Sequence, residues 1–172
     1  MDSVTNERGK TFFLHSAGGC GKTYVCNTIA SAVCAEGNVA LCVASSAIAA
    51  LLLHGGRTAH SRFKIPIPIH HNSTCNITKE SDLHKVLKQT KLITWDEAPM
   101  QHRYGPEALD RTLQDLFGNN KPFGGITVLF VGDFRQTLPV VPRGSRGQIV
   151  NASLHKSRLY GAVHLVITTF EQ

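Results

Sequence analysis

Ser16-Ala17-Gly18-Gly19-Cys20-Gly21-Lys22-Thr23 separates two segments of different hydrophobic period, and that junction restricts the possible folds more than any other feature of the chain. Thr11-Phe12-Phe13-Leu14 ahead of it reads as a short buried strand. Lys22 to Cys34 behind it reads as a helix with Val25, Ile29, Ala32 and Val33 on one side. A strand that turns through glycines into a helix brings backbone N–H groups and a helix N-terminus to one point, the geometry of a phosphate cradle. In that setting Gly18, Gly19, Cys20 and Gly21 wrap a β-phosphate, Lys22 reaches the β/γ oxygens, and the Thr23 hydroxyl is available to Mg²⁺. The pattern G-x-x-x-x-G-K-[ST] is met everywhere except its first position, where Ser16 replaces glycine. A strained non-glycine backbone at that exit from the strand costs about 1–3 kcal/mol.

With 172 residues, 42% of them hydrophobic, the chain is expected to form a single domain over 1–172 with a sizeable core. Its 18 basic against 12 acidic residues give a formal charge of +6, which favours a polyanionic partner without identifying one. Cys20, Cys26, Cys34, Cys42 and Cys75 are scattered without C-x-x-C spacing, which points to a reducing compartment and away from a disulfide framework. No apolar run approaches the roughly 20 residues that span a bilayer, and the first residues lack the apolar core of a secretory signal. A soluble intracellular protein is therefore expected.

Further along, Val39 to Ala44, Lys91 to Trp95, Ile126 to Val131 and Val163 to Ile167 read as strands. Between them lie helical stretches from Ser45-Ser46 toward Leu53, from Ser81 to Lys88, and from Glu107 to Phe117. In the last, Glu107 and Arg111 are spaced for an i,i+4 pair. The segment 58–78, with Pro66, Pro68, His70, His71 and Cys75, is expected to be an inserted surface loop. Alternating strands and helices predict an α/β fold, a mostly parallel sheet flanked by helices with its ligands at the carboxyl ends of the strands.

The polar motifs fall at those ends. Asp96-Glu97 follows an apolar strand, so that Asp96 can hold Mg²⁺ while Glu97 orients and deprotonates an attacking water. Gly132-Asp133-Phe134-Arg135-Gln136 follows another, which makes Gln136 a candidate sensor of the γ-phosphate; Asp133 and Arg135 can equally form a structural pair in the turn. Thr58, His60, Arg62, Phe63 and Lys64 mix hydroxyl, imidazole, cation and ring, the set that holds phosphates and stacks a base of single-stranded nucleic acid. His70, His71 and Cys75 lack the fourth ligand of a zinc site, and Trp95 beside the carboxylates reads as core packing.

Taken in order, Gly18 to Thr23, Ser45-Ser46-Ala47-Ile48-Ala49-Ala50, Gly56-Arg57-Thr58-Ala59-His60-Ser61, Asp96-Glu97-Ala98-Pro99-Met100 and Gly132 to Gln136 resemble the motifs of the PIF-one (petite integration frequency) DNA helicases, especially those carried by Helitron transposons. Ala108 to Leu113 and Lys121 to Gly125 are similar to the family's segment between its second and third motifs, so the likeness runs from about Phe12 to Thr169. It implies the first RecA-like domain of a P-loop motor that uses ATP and Mg²⁺ to move 5′-to-3′ on single-stranded DNA. By the same likeness Lys22, Glu97 and Gln136 serve catalysis, Thr23 and Asp96 hold the metal, and Ser45, Ser46 and Thr58 to Lys64 face DNA. A nuclear location is implied, with the mitochondrion left open. The family has a glutamine-bearing helix before the first strand and a second RecA-like domain that contributes arginine, whereas here no glutamine precedes Gln89 and the sequence ends at Gln172. Because an arginine finger is worth about 10³–10⁵ in rate, a lone first domain is expected to hydrolyse ATP slowly. A non-enzymatic nucleotide-binding remnant or interaction module is the alternative. A GTP switch is disfavoured, since Asn120-Lys121-Pro122-Phe123 lacks the aspartate of N-K-x-D.

Overall fold

The computed structural model describes residues 9–135 and 138–167. The strands are β1 (Thr11–His15), β2 (Val39–Ala44), β3 (Arg57–Thr58), β4 (Thr90–Asp96), β5 (Thr127–Gly132) and β6 (Val163–Ile167). They form one six-stranded sheet in the order β3-β2-β4-β5-β1-β6, and every pairing is parallel. The helices are α1 (Lys22–Ala35), α2 (Ala47–Leu51), α3 (Ala59–Phe63), α4 (Asp82–Gln89), α5 (Tyr104–Phe117) and α6 (Arg146–Ala152). Short 3-10 turns at Ala98–Met100, Pro122–Gly125, Leu154–Lys156 and Tyr160–Ala162 complete the described elements. None of these helices is long and apolar enough to cross a membrane.

Alternation along each strand sends successive side chains to opposite faces, and both faces are covered. On one face Phe13, Val43, Ile93, Trp95, Val128 and Phe130 pack with Phe63, Leu87, Leu109, Leu113 and Phe123. On the other, Leu14, Cys42, Ala44, Leu92, Leu129 and Val131 pack with Cys26, Ala30 and Val33 of α1 and with Ala49 and Ala50 of α2. The register aligns the strand ends: His15 pairs with Gly132, and Ala44 with Asp96. Since β1 lies beside β5 while the next strand, β2, lies beyond β4, the connection from β1 crosses over the sheet and a crevice opens at the carboxyl ends of β1, β4 and β5.

Several local expectations are corrected. Ala32 is exposed, and Cys26 and Ala30 take the buried face of α1 that the sequence assigned to it. Residues 58–78 are not simply an inserted surface loop: they begin with β3 and α3, and Phe63, Ile65 and Cys75 are buried in the core. Glu107 and Arg111 do not pair. Glu107 Oε1 accepts from the Ser157 hydroxyl at 2.7 Å, and the Arg111 guanidinium donates to the Ser73 carbonyl at 3.1 Å, because both side chains anchor irregular segments to α5.

Candidate functional site

Gly21 caps α1 in the left-handed region at φ 68, and Gly19 precedes it at φ 78. These two positions, where a β-carbon carries a steric penalty, let the chain fold back between β1 and α1. Ser16 is not among the residues of positive φ, so the strain expected from the missing glycine does not arise. Its side chain is buried, and its hydroxyl has no hydrogen-bond partner. The Lys22 ammonium turns back over the loop and donates to the carbonyls of Ser16 at 3.0 Å and Ala17 at 2.6 Å.

At the second residue of α1 the Thr23 hydroxyl donates to Asp96 Oδ2 at 3.1 Å. Asp96 is buried at the end of β4, and its Oδ1 accepts the Glu97 backbone N–H at 2.8 Å. Its own carbonyl accepts from Ser45 N–H at 3.0 Å. Glu97 sits at φ 51 and opens the Ala98–Met100 turn. The turn is pressed against β5: a β-carbon on Gly132 would stand 2.3 Å from Pro99 Cδ. Asp133 Oδ1, next along from Gly132, accepts the Arg135 backbone N–H at 2.8 Å. That contact makes Asp133 a turn residue bound to the Arg135 backbone.

These groups line one cleft of about 240 Å³, bounded by Gly18, Gly19, Lys22, Thr23, Asp96, Glu97, Gly132 and Asp133, with Ile48, Ala49 and Leu52 as an apolar wall. A hydroxyl and a carboxylate 3.1 Å apart, both hard oxygen donors, are a donor set that fits Mg²⁺. The sequence missed Ile48 and Leu52 as cleft residues. Ala47–Leu51 is apolar all round, so periodicity could not choose its buried face. The structure buries Ala49 and Ala50 and leaves Ile48, Leu51 and Leu52 exposed.

The residues expected to face DNA divide sharply. The Ser45 hydroxyl accepts from Trp95 Nε1 at 3.1 Å. The Ser46 hydroxyl donates to Glu97 Oε2 at 2.6 Å and accepts the Ala49 N–H at 3.2 Å, capping α2. Thr58 caps α3 by accepting from Ser61 N–H at 3.3 Å. Arg62 donates to the Gly55 carbonyl at 2.9 Å, and burial together with Arg57 pushes its pKa down. His60 is half-buried, and that burial lowers its pKa.

Phe63 is fully buried, its ring centroid 5.9 Å from that of Trp95, so base stacking by Phe63 is ruled out in this arrangement. Lys64 remains exposed. Trp95 is core, as expected. Cys75 is buried, with its thiol pushed up to about 12 chiefly by that burial, while His70 and His71 are exposed. Among the described residues no group of three or more His, Cys, Asp or Glu is placed to hold a metal. Gln136 lies outside the described residues.

Comparison with known proteins yields one family. The PIF1-like helicase family matches residues 1–171. The chain is 34% identical over 142 residues to an ATP-dependent DNA helicase Pif1 of Psychrobacter sp. (strain PRwf-1), covering 81% of this chain and 21% of that protein. It is 33% identical over 139 residues to the ATP-dependent DNA helicase PIF4 of Trypanosoma brucei brucei, covering 76% and 16%. The chain thus spans about a fifth of the length of these curated relatives. Among solved structures, Bacteroides Pif1 helicase in complex with ADP-AlF3 and single-stranded DNA superposes with a TM-score of 0.79 at 25% identity, over 99% of this chain and 40% of that one.

Proposed function

The chain belongs to the PIF1-like helicase family, and from that premise we propose that it is the nucleotide-binding RecA-like part of a DNA helicase, binding and hydrolysing Mg-ATP and contacting single-stranded DNA. The observation that carries the reading is the Thr23 to Asp96 hydrogen bond of 3.1 Å in a cleft shared with Lys22 and Glu97. Residues 73 positions apart in sequence meet there with the chemistry that triphosphate hydrolysis requires.

In this mechanism the loop N–H groups from Gly18 to Thr23 and the N-terminus of α1 hold the phosphates. Lys22 exchanges the carbonyls of Ser16 and Ala17 for the β/γ oxygens, a substitution of neutral acceptors by charged ones that strengthens its hydrogen bonds. Thr23 and Asp96 would hold Mg²⁺, which when bound would supply neutralisation of developing phosphate charge. Glu97 accepts a proton from the water that attacks the γ-phosphate. Gln136 is assigned the sensing of nucleotide state, and a second RecA-like domain the arginine. Single-stranded DNA, which the Bacteroides relative binds, is assigned to the edge carrying β3 and α3, where Lys64 is exposed. Movement is 5′-to-3′.

Equilibrium binding of a fluorescent ATP analogue with Mg²⁺, paired with single-turnover hydrolysis, tests the reading. Lys22→Ala should weaken binding by about 100-fold, the value of a lost charged hydrogen-bond pair. Glu97→Gln should keep the affinity and lose turnover. Unchanged affinity in the first variant, or equal turnover in the second, overturns the assignment.

A further inference from the structure

Among the described residues the Glu97 carboxylate has one hydrogen-bond donor, the Ser46 hydroxyl, at 2.6 Å. The hydroxyl cannot swing freely. It has one proton to give, and one of its lone pairs already accepts the Ala49 N–H at 3.2 Å, which directs the proton toward Glu97. Its backbone is fixed as well: the Ser46 carbonyl accepts from Ala50 N–H at 3.2 Å, and neighbouring Ser45 is tied to Asp96 through its N–H and to Trp95 through its hydroxyl. The carboxylate it grips stands on a left-handed backbone at φ 51 with its own N–H bound to Asp96 Oδ1. Main chain and side chain of Glu97 are therefore held from two different strand ends.

We propose that Ser46 is a positioning residue for hydrolysis: by holding Glu97 through Oε2, it leaves Oε1 to accept from the attacking water in the cleft. The proposal rests on the reading of Glu97 as the proton acceptor, and it replaces the expectation that the Ser46 hydroxyl faces DNA. A carboxylate on a side chain with several rotatable bonds visits many orientations, and one charge-assisted hydrogen bond from a pre-oriented donor removes most of them before substrate arrives.

The test uses single-turnover ATP hydrolysis by the full chain, over a range of Mg-ATP concentrations, for wild type, Ser46→Ala, Ser46→Gly, Ser46→Thr and Glu97→Gln. Ser46→Gly separates positioning from capping, because glycine at an N-cap costs the helix only a few tenths of a kcal/mol while removing the hydroxyl. Ser46→Ala and Ser46→Gly should each slow the maximal rate roughly 10- to 100-fold, the scale of a misplaced reacting group, with the half-saturating Mg-ATP concentration unchanged within about twofold. Ser46→Thr, which keeps a hydroxyl and can still cap, should return most of the rate. A wild-type rate in Ser46→Gly, a shift in half-saturation in place of a loss of rate, or a threonine variant as slow as alanine overturns the proposal. Should Glu97→Gln match wild type, the reading of Glu97 fails and this inference with it. If Glu97→Gln is slow while Ser46→Gly is fast, only the inference fails.

Discussion

Phe63→Ala distinguishes a core residue from a base-stacking one, and the structure gives the size of the effect. The ring is fully buried between the sheet and α3, beside Trp95, and belongs to the same cluster as Ile93, Val128 and Phe130. Truncation removes the transfer energy of the ring and leaves a cavity beside the Trp95 ring, so the cost belongs in the usual range of about 3–5 kcal/mol for Phe→Ala. For a domain of this size each kcal/mol lowers the melting midpoint by roughly 2–4 °C, which gives a drop of roughly 6–20 °C. Phe63→Leu retains most of the volume and should cost about 1.5 kcal/mol or less.

Urea and thermal unfolding followed by circular dichroism measure the loss. Fluorescence anisotropy with labelled single-stranded DNA, at one salt concentration and a temperature where each variant is folded, measures any change in binding. The expected outcome is a large fall in stability with DNA affinity for the folded protein altered by less than about twofold. Refutation takes the opposite form: an alanine variant within about 1 kcal/mol of wild type that has lost DNA affinity by 10-fold or more, the scale of a lost base-stacking contact.

Gly132→Ala would drive a β-carbon to 2.3 Å from Pro99 Cδ, between β5 and the turn that carries Glu97. It should destabilise by about 1–3 kcal/mol in urea unfolding, as overpacking does, and slow hydrolysis with little change in nucleotide affinity. Equal stability of the variant would show that the contact between β5 and the turn relaxes freely. Burial raises the thiol pKa of Cys26, Cys42 and Cys75, the last to about 12, so at pH 8 these groups are protonated as well as shielded. Mass spectrometry after maleimide labelling of the native chain should find Cys34 modified first and Cys20 next, with the other three modified only after unfolding. Early labelling of Cys26 would contradict the packing of α1 on the sheet.

What the sequence determined by itself is local and contiguous. The glycine-rich turn between β1 and α1 was legible because its glycines act through their own backbone and Lys22 through the nearby Ser16 and Ala17 carbonyls, and the parallel α/β class followed from uninterrupted apolar strands alternating with helices. The strand-end carboxylates were legible for the same reason: Asp96 and Glu97 directly follow their strand. Tertiary structure decided everything that depends on a partner distant in the chain. The α2 segment is apolar on every side, so only packing against β2 and α1 could select Ala49 and Ala50 for the core and leave Ile48 and Leu52 to wall the cleft. Phe63 offers the same ring to a base or to a core, and Trp95 beside it settled the matter. The Ser46 hydroxyl can serve water, nucleic acid or protein equally well, and only the parallel register that sets Ala44 opposite Asp96 brings Glu97 within its reach. A hydroxyl or a ring carries no record of its partner in local sequence, because hydrogen bonding and burial are properties of pairs.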